Sequence, residues 1–219
     1  SPVLDLRVKG ASNIIGDRSF SKNPKIVSKI GDYCIENFHK NGIGTIIKHI
    51  PGHGRAEVDS HESLPTIDSC LDDLLSREFS PFIQLRLAAA AMTGHLLFTK
   101  LDPTHPVTFS NKIINDVIRN LIKFEGILLS DDLSMNALSG SIGDRYINAL
   151  KAGCDVGLHC NGNVQEMELV AKACPGIKNV AKSRIRVFLK KVADVSENRE
   201  ISDINELNAK LRKGLKGFF

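Results

Sequence analysis

Short apolar runs alternate along the chain with longer stretches of helical periodicity. The short runs are Val3–Leu6, Thr45–Ile50, Ala89–Thr93, Ile127–Leu129 and Val156–His159. The helical stretches are Pro24–Lys40, Leu71–Leu85, Lys112–Phe124, Gly143–Ala152 and Val164–Cys174. Short runs that are apolar on both faces, each followed by a helix, are typical of parallel strands in β/α units. The pattern therefore predicts five successive β/α units.

Residues at the ends of these stretches support the helix assignments. Ser21 and Asn23 precede Pro24 as candidate helix caps before a first-turn proline, and Gly42 follows the last apolar position of the same stretch. Ser110 occupies the capping position before the third helical stretch. The first and third helices thus have predicted starting points.

The order of elements predicts an α/β fold in which all strands are parallel. Right-handed crossovers then place the carboxyl end of every strand on one face. A complete (β/α)8 TIM-type barrel needs about 250 residues, and this sequence has 219. We expect one domain over 1–219, the C-terminal five-eighths of a barrel lacking roughly its first three β/α units, with terminal helices from about 177. If nothing closes the barrel, the same units form an open α/β sheet.

Composition and charge exclude several classes of partner. The net charge is +4, from 29 Lys and Arg against 25 Asp and Glu, and much of the excess lies in Lys182–Lys191 and Lys210–Lys216. Without tryptophan or interleaved aromatic residues, such stretches are typical of solvated helix faces and not of a nucleic-acid surface. No apolar run approaches the roughly 18 residues that cross a bilayer, and no signal peptide is evident. We expect neither a nucleic-acid nor a membrane partner.

The cysteines point to a cellular compartment. Five are present, an odd number, and they are widely spaced without a Cys-x-x-Cys pair. This usage is typical of reduced thiols in a cytoplasmic protein and not of a disulfide framework.

The densest group of titratable residues lies in the segment 48–61, which reads KHIPGHGRAEVDSH. It follows a predicted strand, so it leaves the sheet at the carboxyl face, where barrel enzymes place reactive groups. Asp59 and His61 can form a carboxylate–imidazole hydrogen bond if the loop curls. Such a bond sets the ring tautomer and leaves the other nitrogen free to give or take a proton.

A second group follows the strand at Ile127–Leu129, where the sequence reads SDDLSM over 130–135. Asp131 and Asp132 are adjacent at a strand end and point in opposite directions, so one of them can face the mouth of the barrel. An ionised carboxylate there suits a nucleophile or a metal ligand. Alternatively, one of the two caps the next helix.

Taken together, the two groups resemble bacterial β-N-acetylglucosaminidases of glycoside hydrolase family 3, of the NagZ type. Further segments agree in order with motifs of that family: Pro2–Leu6, Gly16–Phe20, Met92–His95 (with Gly94 where the family has alanine), Pro106–Ser110, Gly153–Asp155 and Cys160–Asn161. The resemblance covers roughly residues 1–175.

The resemblance implies a retaining mechanism on a (β/α)8 barrel. Asp131 would attack the anomeric carbon and form a covalent glycosyl-enzyme. His61, oriented by Asp59, would protonate the leaving oxygen and later activate water. Retaining glycosidases usually use a second carboxyl group for that task, and an imidazole can replace it because it titrates near neutral pH.

The resemblance also implies a substrate. The positions that match binding residues for terminal N-acetylglucosamine are Arg18, Lys48 and His49, whereas His53 and His95 are weaker candidates. The expected substrate is an N-acetylglucosamine-containing muropeptide or a chitobiose-like compound, handled during cell-wall recycling, with no cofactor and no metal. Because the family's first three β/α units have no counterpart here, we expect the 219-residue chain alone to be weakly active or inactive.

The sequence leaves two alternative functions open. A metal-dependent hydrolase would use as ligands His49, His53, Asp59, His61 and Asp131. A non-catalytic carbohydrate-binding remnant would keep the sugar site without turnover.

Overall fold

The computed structural model describes residues 2–8 and 10–196. Its strands are β1 (Ile47–Ile50), β2 (Thr66–Ile67), β3 (Ala90–Thr93), β4 (Leu97–Phe98), β5 (Ile127–Asp132) and β6 (Val156–Leu158). One parallel sheet has the order β1-β3-β5-β6, and β2 pairs with β4 in a separate two-stranded sheet. Val3 adds a parallel bridge to Lys48 beyond β1. The order of the strands in space therefore follows their order in the chain.

The helices lie between these strands. They are α1 (Pro24–Lys40), α2 (Leu71–Ser76), α3 (Ser80–Gln84), α4 (Ile142–Ala152), α5 (Val164–Ala173) and α6 (Asn179–Ser196), with a π-helix at Ile113–Leu121 and 3-10 turns at Gly16–Arg18 and Val107–Phe109. The predicted caps are confirmed: the Asn23 side chain accepts from the Lys25 N–H at 3.0 Å, and the Ser110 hydroxyl accepts from the Ile113 N–H at 3.0 Å. The α/β class predicted from the alternating pattern is confirmed.

The single helix predicted over Leu71–Leu85 is wrong, because the chain breaks between α2 and α3. Glu78 lies in the break with its side chain fully buried and paired with Arg55, and Phe79 beside it is fully buried in the core. Pro81 follows in the first turn of α3, and a proline cannot continue the helix that precedes it. Burial of an acid and an aromatic ring from neighbouring positions outweighed the helical periodicity.

The core lies between the sheet and the helices packed on it. Its largest fully buried side chains include four rings and several aliphatic groups: Phe79, Phe82, Phe98, Phe124, Leu4, Leu6, Ile47 and Ile50. Burial of each such side chain contributes about 1.5–3 kcal/mol relative to exposure. The strands are thereby fixed with their carboxyl ends at one edge, where β1 ends in His49 and Ile50 and β5 ends in Asp131 and Asp132.

The described residues form an open sheet, the alternative to a closed barrel that the sequence left available. Of the predicted terminal helices, α6 is present, and residues 197–219 lie outside the described part of the chain. In α6, Phe188 packs close to Gly44, which precedes β1. Among the helices described, none has both the length and the apolar character needed to cross a bilayer.

Candidate active site

A cavity of about 190 Å³ lies where the carboxyl ends of β1 and β5 meet. It is lined by Ile14, Ile15, Arg18, Lys48, His49, His53, Ser60, His61 and Asp131. Five of the six predicted site residues are in that set, and the sixth, Asp59, contacts His61 from behind. Three larger cavities, of about 440, 530 and 370 Å³, are not lined by any histidine. The convergence of predicted residues therefore selects the smaller cavity.

The floor of the cavity is organised by Asp5, a carboxylate with no exposed surface. It accepts hydrogen bonds from the backbone N–H of His49 at 3.1 Å and from that of His53 at 2.7 Å, and it contacts His49 Nδ1 at 2.7 Å. Burial alone would raise the pKa of Asp5, but the charge and hydrogen bonds of the two histidines hold it below its usual value. An ionised Asp5 thus fixes the ring and the backbone of His49.

The other edge of the His49 ring faces the predicted nucleophile. His49 Nε2 lies 3.7 Å from Asp131 Oδ2, beyond hydrogen-bond distance but close enough for a favourable electrostatic interaction. Asp131 is about one-fifth exposed, whereas His49 is nearly buried. The arrangement orients an imidazole toward Asp131 and leaves the carboxylate open to the cavity.

The two adjacent acids of β5 have separate roles. Asp132 accepts hydrogen bonds from the Ser134 N–H at 3.0 Å, the Ser134 hydroxyl at 2.6 Å and the Cys160 N–H at 3.0 Å, and these bonds hold its pKa below the usual value against the opposing effect of burial. Asp132 therefore shapes the turn after β5 and ties it to the end of β6. Asp131 is the acid that faces the cavity, as the alternation along a strand predicts.

His95 and His53 are both buried, and burial lowers the pKa of each. His95 lies between the Thr108 hydroxyl at 2.8 Å and the Asp132 carbonyl at 3.0 Å, so its contacts are structural. His53 lines the cavity, and its Nε2 lies 3.3 Å from the Ser60 hydroxyl. The pKa of His53 falls to about 4, which makes this ring neutral at pH 7.

The hydrogen bond predicted between Asp59 and His61 is present. Asp59 Oδ1 lies 2.8 Å from His61 Nδ1 and also accepts from the His61 backbone N–H at 2.8 Å. Burial raises the pKa of Asp59, but the two hydrogen bonds from His61 and the charges of His61 and His53 together outweigh it, so the pKa lies below the usual value. With Nδ1 bound to the carboxylate, His61 has Nε2 available for proton transfer.

Two basic residues complete the wall of the cavity. Arg18 ends the turn Gly16–Arg18 and donates to the Ile14 carbonyl at 3.2 Å. The backbone of Lys48 pairs with Pro2 and Leu4 at the edge of the sheet, and its side chain lines the cavity. The Lys48–His49 peptide bond is cis. Both cations can donate to sugar hydroxyls.

The loop that carries His61 is anchored at its base by Arg55. Its guanidinium contacts Asp73 at 2.6 Å and the Ser69 hydroxyl at 3.0 Å, and its Nε lies 2.9 Å from the buried carboxylate of Glu78. Gly52 packs directly against Glu78, since a Cβ at this glycine would lie 2.9 Å from the Glu78 carbonyl oxygen. Glu78, in the break between α2 and α3, therefore provides the surface on which the base of the loop packs.

The alternative of a metal-dependent hydrolase would require a metal centre. Nowhere in residues 2–8 and 10–196 do three or more His, Cys, Asp or Glu side chains form a group that could hold a metal ion. His49 and His61 each use Nδ1 to contact a carboxylate. Such a bond leaves Nε2 of each ring available, so it does not by itself distinguish a sugar site from a metal site.

The sequence of the chain matches a known family of glycosidases over most of its length. Residues 1–195 match the glycosyl hydrolase family 3 N terminal domain. The chain belongs to glycoside hydrolase family 3. This confirms the family inferred from the loop 48–61 and the segment 130–135.

Individual members of family 3 agree with this assignment. The chain is 34% identical to a beta-hexosaminidase of Idiomarina loihiensis over 86% of its own length and 57% of the relative, and 36% identical to one of Tolumonas auensis over 86% and 56%. A crystal structure of NagZ from Neisseria gonorrhoeae, in complex with N-trifluoroacetyl-D-glucosamine, superposes with a TM-score of 0.76 at 32% identity over 89% of this chain and 58% of that one. The chain thus spans a little over half the length of the relatives that it matches.

Sequence reasoning missed Asp5 and Ser60 as residues of this family 3 site. Asp5 carried a signal, because a charged residue inside the apolar run Val3–Leu6 requires a buried partner. Ser60 carried none, since a serine between Asp59 and His61 is an ordinary loop residue. The strands β2 and β4 were also missed, because two-residue strands leave no periodicity.

Proposed function

We propose that the protein is a retaining β-N-acetylhexosaminidase that removes terminal N-acetylglucosamine through a covalent glycosyl-enzyme. The observation that carries the proposal is that Asp131 and the Asp59–His61 pair share one cavity at the carboxyl ends of the strands. A carboxylate and a proton-transfer group on one cavity are the two components that retaining hydrolysis requires.

In the first step, an oxygen of Asp131 attacks the anomeric carbon and the glycosidic C–O bond breaks. His61 gives its Nε2 proton to the departing oxygen, and Asp59 stabilises the imidazolium that exists before the transfer. In the second step, the neutral His61 takes a proton from water while the water oxygen attacks the anomeric carbon. The Asp131 carboxylate leaves, the sugar is released with its original configuration, and both side chains return to their starting states.

Arg18, Lys48 and His49 would bind the terminal sugar. All three line the cavity beside Asp131, and cationic and imidazole N–H groups suit hydroxyl and amide acceptors. The buried bond from Asp5 to His49 restricts that ring to one orientation. A fixed ring lowers the entropic cost of binding the sugar.

We further propose that the substrate is a peptidoglycan fragment in which N-acetylglucosamine is linked to anhydro-N-acetylmuramic acid, processed in the cytoplasm during cell-wall recycling. The names of the relatives support the hexosaminidase chemistry, and the five free cysteines are consistent with a reducing compartment. The parallel sheet would correspond to the carboxyl-terminal five-eighths of a (β/α)8 barrel.

The proposal is tested by exposing the purified protein to a 2-acetamido-5-fluoro glycosyl donor and analysing it by mass spectrometry. We expect one added glycosyl group on the peptide that contains Asp131 and none in the Asp131→Ala variant. An adduct on another residue, or one that survives in Asp131→Ala, would contradict the assigned nucleophile. Sugar binding without an adduct or turnover would favour the carbohydrate-binding remnant.

A further inference from the structure

The loop at 57–64 contains a single buried residue. Glu57, Val58, His61 and the two residues after it are exposed, whereas Ser60 is only 3% exposed. Ser60 lies directly between the two members of the Asp59–His61 pair. A serine in that position of a polar loop needs a specific partner to be buried.

The partner of Ser60 is His53. His53 Nε2 lies 3.3 Å from the Ser60 hydroxyl, and His53 itself is 2% exposed. The His53 backbone N–H donates to Asp5 at 2.7 Å, so the ring is attached to the floor of the cavity. His53 Nδ1 is buried and has no partner in the described structure. Ser60 therefore supplies the only side-chain hydrogen bond that this ring makes within the described residues.

The segment 59–63 behaves as a compact unit. The Asp59 carbonyl accepts from the N–H groups of Glu62 and Ser63, both at 3.0 Å, and the Asp59 side chain accepts from His61. Within the part of the chain that the structure describes, the contact from Ser60 is the only side-chain hydrogen bond between 57–64 and the rest of the protein. Beyond the anchor at Arg55, this hydrogen bond is therefore the side-chain contact that fixes the unit over the cavity.

We propose that Ser60 is a positioning residue whose hydroxyl, docked on His53, holds the Asp59–His61 pair over Asp131. The inference rests on the proposed function, in which His61 is the proton-transfer group. Because His53 is neutral at pH 7, its bond to Ser60 joins two uncharged groups. Such a bond contributes a modest net stabilisation, which is enough to favour one position of the pair.

The first experiment measures amide hydrogen exchange by mass spectrometry and requires no turnover. In Ser60→Ala, we expect the peptide covering 57–64 to exchange roughly two- to tenfold faster, the factor that corresponds to loss of one neutral hydrogen bond. Ser63→Ala is the matched control, because Ser63 is an exposed serine on the same loop. Ser60→Thr retains the hydroxyl and should restore slow exchange. Equal exchange in Ser60→Ala and Ser63→Ala would overturn the proposal.

The second experiment compares kcat/KM for two substrates that differ in their need for an acid. Chitobiose has a poor leaving group, and we expect Ser60→Ala to lower its kcat/KM by about tenfold, a part of the 10²- to 10⁴-fold that general acid–base catalysis contributes. The 2,4-dinitrophenyl N-acetylglucosaminide leaves without protonation and should keep its kcat/KM. Equal losses for both substrates would indicate a merely structural role for Ser60 and overturn the proposal.

Failure of the proposed function is distinguishable from failure of this inference. If the wild-type protein forms no adduct at Asp131, the glycosidase assignment fails, while hydrogen exchange still reports whether Ser60 docks the loop. If the adduct forms and Ser60→Ala matches the wild type in exchange and in both kinetic constants, the glycosidase assignment stands and the positioning role is wrong.

Discussion

Two carboxylate–imidazole pairs in this protein have nearly the same local geometry and opposite surroundings. In Asp5–His49 and in Asp59–His61, the carboxylate contacts Nδ1 of the ring, at 2.7 and 2.8 Å, and also accepts from the histidine's own backbone N–H. The His49 side chain is 6% exposed and that of Asp5 is 0% exposed, whereas His61 is 62% exposed and Asp59 is 34% exposed. Burial, and not bond geometry, separates the two pairs.

The difference determines what each pair can do. The buried Asp5 must satisfy three N–H donors from His49 and His53, so removing it would leave those donors unpaired in the interior. The exposed pair can exchange its hydrogen bonds with water at little cost. A rigid pair suits a binding floor, and an accessible pair suits proton transfer.

Removal of the His61 side chain should have the largest effect, and we expect it to lower activity while leaving stability nearly unchanged. Relative to the unmodified chain, whose own activity we expect to be weak, His61→Ala should lower kcat/KM for chitobiose by up to about 10²- to 10⁴-fold, because the proposed proton-transfer group is lost. The free energy of unfolding should change by less than about 1 kcal/mol, since the side chain is exposed and its ion pair is screened by solvent. Activity assays and urea denaturation measure the two quantities. A large loss of stability would show that the exposed pair supports the fold.

Breaking the buried pair should have the converse result. Asp5→Ala is expected to lower the free energy of unfolding by about 3–5 kcal/mol, the cost of removing one partner from a buried charged network. Asp59→Ala removes a carboxylate of the same type from the exposed pair and should cost at most about 1 kcal/mol. Denaturation of both variants in the same buffer provides the measurement. Equal losses would refute the role assigned to burial.

The floor should also make stability depend on pH. The pKa of His53 is 6.5 in its unperturbed state and about 4 in the folded protein, because burial disfavours the charged ring. Between these values the unfolded chain binds the extra proton, so the free energy of unfolding should fall by about 3 kcal/mol as pH decreases from 6.5 to 4. Above pH 6.5 this contribution is fully present.

The variant His53→Gln tests that assignment by denaturation at a series of pH values. In this variant, the free energy of unfolding should depend less steeply on pH, because most of the His53 contribution is lost. A weaker dependence of the same sign should remain from His95, because burial lowers its pKa as well. An unchanged slope in His53→Gln would assign the pH dependence to other groups.

The smallest expected effect concerns the space around the floor. A Cβ at Gly94 would lie 3.1 Å from His53 Cδ2 and 3.2 Å from His49 Cβ. Gly94→Ala should therefore lower the free energy of unfolding by about 1 kcal/mol through overpacking. Gly176→Ala is the control, because a Cβ there meets no atom within 4 Å. Stabilisation by Gly94→Ala would show that the floor has room to adjust.

Part of the candidate site could be predicted from local sequence, whereas the roles of its residues were inferred from the family resemblance. Asp59 and His61 are two residues apart, and the alternation of a strand places one of Asp131 and Asp132 in the cavity. The positions of α1 and of the main strands followed from apolar periodicity and capping. Each of these signals depends on neighbouring residues only.

The parts that could not be predicted depend on distant contacts. Asp5 acquires its role from donors 44 and 48 residues away, and the break between α2 and α3 depends on the pairing of Glu78 with Arg55. Burial of Ser60 depends on the conformation of the loop around His53. Periodicity carries no information about such pairings, because they arise only once the sheet has assembled.

The order of the strands has a consequence for synthesis of the protein. Because each strand of the large sheet docks on the one that precedes it in the chain, the sheet can grow from one edge as the polypeptide emerges from the ribosome. Every donor to Asp5 lies within the first 53 residues of the sequence. At roughly 5–20 residues per second, that carboxylate can acquire all its partners several seconds before Asp131 is translated. The proposed nucleophile would then be added to a floor that already exists.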